Sequence, residues 1–185
     1  WRNAPDWPLP GTGHAPYYLH GDGSLSPNRP GDGAPSHTRF TYDPKDPVPS
    51  WGAQYQTADC TGPRDRRNIE SREDVLVYTS APLKQDLEVI GPVEAKLYAV
   101  SSAPDTDFIV KLSDQFPQSD DDREAGLQPQ SVVVSKGWLR ASHREKDEAR
   151  STPLRPFYTH SNPQPIEPGE IYVFEIEVMP FSNVF

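Results

Sequence analysis

Apolar positions are sparse in the first third of this chain and cluster sharply after residue 74. Val75-Leu76-Val77-Tyr78 is a continuous apolar run of strand length, and Leu87-Glu88-Val89-Ile90 follows, closed by the turn signal Gly91-Pro92. Residues 93–99 alternate with period two, which puts Val93, Ala95, Leu97 and Ala99 on one face. Residues 107–112 repeat the pattern with Phe108, Val110 and Leu112 inward. Residues 131–139 predict a further strand, and residues 171–178 another, with Tyr172, Phe174, Ile176 and Val178 on one face. Strands at this spacing, broken by Pro/Gly turns, predict an antiparallel β-sandwich. No long stretch keeps helical spacing. Residues 140–150, the best helical candidate, are charged all round and predict a strand edge running into a solvated loop.

Composition sharpens the picture of the N-terminal part. Residues 1–50 hold ten of the 22 prolines and six of the twelve glycines. Proline fixes φ and removes a backbone donor, so this segment predicts an extended, wrapping arm with only two short strand candidates, residues 17–20 and 39–42. The hydrophobic share of 34% is lean, but its concentration in short runs excludes complete disorder. A net charge of -9 without a basic stripe argues against nucleic acid and against an anionic membrane surface. No apolar run is long enough to span a bilayer. The start at Trp1-Arg2-Asn3-Ala4-Pro5 reads as that of an excised piece. Cys60, alone, cannot form an internal disulfide or a paired-cysteine zinc site.

Candidate chemistry is thin. The nucleophile elbow G-x-S-x-G is absent, since Asp22 precedes Gly23-Ser24. The five histidines, His14, His20, His37, His143 and His160, are scattered on loops and edges, with no i, i+4 metal pair. No cofactor and no metal is expected. The acidic run Asp120-Asp121-Asp122 lacks the glycine and closing glutamate of a calcium loop and predicts a solvated hairpin loop. In Pro104-Asp105-Thr106-Asp107-Phe108 two carboxylates share a face. Asp105 and Asp107 could hold an ion or act as acid and base, and the structural alternative, in which such an Asp closes a turn, is favoured. Four tryptophans, Trp1, Trp7, Trp51 and Trp138, leave a free-standing carbohydrate-binding module as the alternative reading.

An ordered set of phrases then carries a resemblance. It comprises Trp7-Pro8, Tyr17-Tyr18-Leu19, Gly23-Ser24-Leu25, Tyr42-Asp43-Pro44, Asp46-Pro47-Val48-Pro49-Ser50, Gly62-Pro63 with Asp65, and Arg72. It continues through Asp74-Val75-Leu76-Val77-Tyr78-Thr79-Ser80, Leu87-Glu88-Val89, Gly91-Pro92-Val93, residues 101–108 and Lys111-Leu112. It closes with Gly137-Trp138-Leu139-Arg140-Ala141, Glu167-Pro168-Gly169-Glu170 and Ser182-Asn183-Val184-Phe185. Taken together, over nearly the whole chain, these resemble the C-terminal domain of the X-prolyl dipeptidyl aminopeptidase and cocaine esterase family, the predicted acyl esterases.

The resemblance implies a non-catalytic, galactose-binding-domain-like jelly-roll sandwich over residues 51–185, entered by the arm over residues 1–50. The parent would be a three-part serine hydrolase, with hydrolase and cap domains as this domain's partners in the same chain. None of the family's Ser, Asp, His triad maps here. The double glycine usual after the Val-Pro-Ser phrase reads Trp51-Gly52-Ala53. Family members continue past the Asn-Val-Phe phrase, so the sandwich is expected to be truncated, with an open edge that favours homo-oligomers. Trp51 and Tyr55, held between stiff turns, either line the acyl pocket of the intact enzyme or pack the interdomain contact. The expected location is cytoplasmic.

Overall fold

The computed structural model describes residues 3, 5–7, 9–33, 37–52 and 62–185. Tyr55 and Cys60, both singled out by sequence, lie outside the described residues. The strands in chain order are β1 (Tyr18–Leu19), β2 (Ser24–Ser26), β3 (Thr79–Ser80), β4 (Glu88–Ala99), β5 (Asp107–Gln115), β6 (Ser131–Arg140) and β7 (Tyr172–Val184). The helical turns are α1 (Arg67–Glu70), α2 (Asp120–Glu124) and a 3-10 turn at Ala141–His143. The chain is mainly β and divides into two compact units.

The first unit comprises residues 1–10, 88–113 and 134–184. Its spine is the antiparallel β4–β7 pair, running from Glu88↔Val184 to Ala99↔Tyr172 with one register shift. Period-two alternation decides what each face does. Phe174, Ile176 and Val178 are buried, while Val173 and Met179 are exposed. The core gathers Leu139, Ala141, Ile166, Phe174 and Ile176, with Ala95, Leu97, Ala99, Phe108, Val110, Tyr158 and Tyr172 packed against it. The Phe108 and Phe174 rings lie 4.7 Å apart. Strand β5 pairs with β6, and its inward residues share the β7 core, as two layers of a sandwich do. Leu112, expected to be inward, is half-buried but outside this cluster.

The second unit comprises residues 11–87, 114–133 and 185. In it β1 pairs antiparallel with β2, and β2 pairs parallel with β3. Arg66, almost wholly buried, donates its backbone N–H to Ser131 O at 2.8 Å and so ties α1 to the start of β6.

Several expectations are corrected. Gly91-Pro92 is no turn but lies within β4, opposite a bulge in β7: the register shifts between Gly91↔Phe181 and Val93↔Val178, so that Pro92 alone stands opposite Met179 and Pro180, Gly91 takes a φ of 110°, and Pro92 offers no N–H to the ladder. Residues 39–42 form no strand, and Phe40 and Tyr42 are exposed. The run 75–78 also lies outside the strands, with Leu76 and Val77 exposed; pairing begins only at Thr79. The acidic run is not plain loop but helix α2. Ser119 caps it by accepting a hydrogen bond from the Asp122 N–H at 3.0 Å, and carboxylates suit a helical N-terminus. Residues 140–150 are not simply a solvated loop either, because Ala141 and Ser142 are buried.

Candidate functional site

Trp51 follows the stiff Pro-Val-Pro segment. The chain then turns at Gly52, whose φ is +67° and whose Cβ position would sit 3.2 Å from Arg64 Cβ and from Gly62 O. Only glycine accepts both demands cheaply. The turn lays residues 62–66 against the indole. Trp51 Nε1–H donates to Asp65 O at 3.0 Å, and the Arg66 guanidinium donates to Trp51 O. The Arg64 guanidinium carbon lies 5.9 Å from the ring centre. The half-buried indole is therefore fixed by both its polar end and its backbone.

Beside it opens a cavity of about 490 Å³ lined by Trp51, Asp65, Arg67, Asn68, Gly126, Leu127 and Gln128. Its floor is an ion-paired cluster. Asp65 accepts from the Arg67 N–H (3.1 Å), the Ser131 N–H (3.2 Å) and Arg67 Nε. Arg67 also donates to Asp122 (3.3 Å) and to Gln128 O. Partial burial pushes the Asp65 carboxyl upward, but the hydrogen bonds from Arg67 and Ser131 outweigh it and hold the group below its usual range. Arg67 is thereby compensated on two sides, and the cavity presents an aromatic wall beside an ion-paired floor. Among the described lining residues none is a serine, histidine or cysteine, and the one carboxylate, Asp65, is held by Arg67 and Ser131.

A Ser–His contact does occur elsewhere in the second unit, where His20 Nε2 lies 3.1 Å from Ser26 Oγ. Its context is a turn. The same hydroxyl accepts from the Asn28 N–H at 3.2 Å, and His20 Nε2 also meets Asn28 O at 3.1 Å. The neighbouring Asp22 carboxylate is bound by the Ser24 hydroxyl (2.7 Å) and N–H (2.9 Å).

Asp105 and Asp107 belong to the first unit and not to this cavity. Asp105 precedes β5. It accepts from the Ser142 N–H (2.9 Å), the Ser142 hydroxyl (2.8 Å) and the Thr106 N–H (3.0 Å). Asp107, on β5, takes both arms of the Arg140 guanidinium at 2.9 Å, and those hydrogen bonds hold its carboxyl below the usual range. Sequence reasoning missed one juxtaposition. His143 and His160, 17 residues apart, bring their Nδ1 atoms within 3.3 Å. No local spacing rule encodes that contact.

The chain matches, over residues 1–185, the family described as X-Pro dipeptidyl-peptidase C-terminal non-catalytic domain. It is 38% identical to a cocaine esterase of Rhodococcus sp. strain MB1 Bresler, an alignment that takes in all of this chain but 30% of that protein. Among solved structures it is similar to an aminopeptidase from the marine sediment archaeon Thaumarchaeota archaeon, with a TM-score of 0.77 at 27% identity, over 100% of this chain and 29% of that one. It is also similar to an α-amino acid ester hydrolase, with a TM-score of 0.74 at 26% identity, over 92% of this chain and 26% of that one. The chain thus spans under a third of the length of these relatives. With no nucleophile elbow in its sequence and a match along its full length, the chain belongs to the non-catalytic C-terminal domains of X-Pro dipeptidyl-peptidase and cocaine-esterase-like hydrolases.

Proposed function

We propose that this domain serves a parent serine hydrolase that cleaves ester or amide bonds through an acyl-enzyme, buttressing its hydrolase and cap domains and forming part of the active-site rim. The observation that carries the reading is the coverage: the whole chain aligns with under a third of an esterase, so the chemistry belongs to the remainder. In this reading the sandwich is a jelly roll of the galactose-binding-domain kind, entered by the wrapping arm over residues 1–50.

The Trp51 cavity is the rim element. A fixed aromatic wall gives apolar contact at little entropic cost, and the charged lining residues Asp65 and Arg67 are paired with each other. Tyr55, four residues on, is proposed to share the role. The test is kinetic and uses the intact parent enzyme. Trp51→Ala and Tyr55→Ala should lower kcat/KM more for large acyl groups than for small ones, by about tenfold per 1.4 kcal/mol lost. Equal losses across an acyl-size series, together with a lowered Tm, would reassign both residues to interdomain packing.

A further inference from the structure

Two histidines in the first unit stand in an arrangement that neither the fold nor the hydrolase role uses. His143 ends the 3-10 turn Ala141–His143, and His160 closes the segment that follows Tyr158. Their Nδ1 atoms are 3.3 Å apart, and their ring centres 5.4 Å apart at 40°. In the absence of an ion the two nitrogens are within reach of an N–H···N hydrogen bond, one ring donating. The same separation also fits a shared metal ion. Two metal–nitrogen bonds of about 2.05 Å that span this distance enclose an angle of about 107°, close to tetrahedral, whereas a right angle would bring the nitrogens to about 2.9 Å.

The backbone beside both histidines is held. Ser142, next to His143, is buried and bound through its N–H and hydroxyl to Asp105. Ala141, fully buried, donates its N–H to Thr106 O at 2.8 Å. On the other side, the Tyr158 hydroxyl donates to Glu175 O, and Thr159 donates its N–H to Glu145 O and its hydroxyl to the Glu145 carboxylate. His160 itself is forced to a φ of +53°, a backbone state that a non-glycine residue keeps only when its surroundings impose it. The backbone that carries the pair is thus fixed, and the pair faces solvent, with His143 half-buried and His160 exposed.

We propose that His143 and His160 form an open two-histidine site for a tetrahedral divalent transition metal, Zn²⁺ above all, bound through both Nδ1 atoms. Among the described residues no third His, Cys, Asp or Glu joins them, so two coordination positions stay with water or with an external ligand. Imidazole nitrogen suits this class of ion. Both rings must then carry their proton on Nε2, so one ring changes tautomer and no proton is lost from a neutral pair. A bound ion would staple the two ends of the 143–160 segment together.

The experiment uses the full chain, with Co²⁺ and Zn²⁺ as probes. One equivalent of Co²⁺ should give the intense visible absorption of tetrahedral coordination. Ring-nitrogen NMR with Zn²⁺ should move Nδ1 of His143 and His160 together. His143→Asn and His160→Asn should each weaken binding by about tenfold or more, while His14→Asn and His37→Asn leave it unchanged. The proposal is overturned by the absence of saturable binding below about 1 mM metal, by NMR shifts at Nε2 or at other histidines, or by unaltered affinity in the two variants. The NMR readout on the unmutated chain decides the matter even where a variant fails to fold.

Discussion

Gly137 on β6 is a position where one carbon atom determines whether two segments can pack. A Cβ placed there would lie 2.1 Å from Glu177 O and 3.1 Å from Val178 Cα on β7. The obstruction is backbone, so the strands must separate to admit it. Gly137→Ala is expected to destabilise the fold by about 1–3 kcal/mol in a urea titration. Gly31→Ala, where nothing lies within 4 Å, should stay within about 0.5 kcal/mol.

Charge on the outer face of the β4–β7 pair gives a pH signature at the same scale. Burial, then the negative charge of Glu175, raises the Glu94 carboxyl above its ordinary 4.5, against the pull of Lys96 and Lys146. The fold therefore favours the protonated form. The cost of ionising Glu94 is absent well below pH 4.5, grows as pH rises through the folded value and then persists. Glu175 has the opposite sign: hydrogen bonds from Lys146 and Lys96 hold it low, so its contribution is present above its ordinary value and is lost as pH falls. Glu94→Gln should raise Tm at neutral pH and leave it unchanged in strong acid. A lowered Tm at neutral pH would mean that Glu94 is stabilising as a carboxylate.

At the scale of elements, alternation along β7 makes a sharp forecast. Phe174 is 1% exposed and packs on Phe108, whereas its neighbour Val173 is 45% exposed. Phe174→Ala should cost about 3–5 kcal/mol, and Val173→Ala less than about 1 kcal/mol. Comparable losses at both positions would break the period-two account.

The same alternation explains what was readable from sequence. Strands β4 to β7 carry long runs in which every second residue must meet one core, and those runs were legible, as were their inward faces at Phe108, Val110, Phe174 and Ile176. Short elements were not. Residues 39–42 and 75–78 have strand composition without a pairing partner, and β-composition alone describes a surface that could be half-buried, not one that is. Gly91-Pro92 carries turn chemistry, but pairing with β7 resumes at Val93 after one register shift, so β4 continues through it. At the Trp51 cavity, sequence picked out the indole. The Arg67–Asp122 part of its floor was hidden because it joins residues more than fifty positions apart. The His143–His160 contact was hidden for the same reason.

At the scale of the whole molecule, the chain corresponds to under a third of the length of its relatives. The domain aligns along its full length with non-catalytic domains, and a hydrolase needs a nucleophile, a base and oxyanion donors in one place. The Ser26–His20 contact supplies the first two types of group, but both are engaged in a turn. The measurement that tests this most directly is hydrolysis of p-nitrophenyl esters and X-Pro anilides by the purified chain alone. Turnover no greater than that of a heat-denatured control is expected. Turnover above that control, abolished by a serine-directed fluorophosphonate, would contradict the assignment of this domain as non-catalytic.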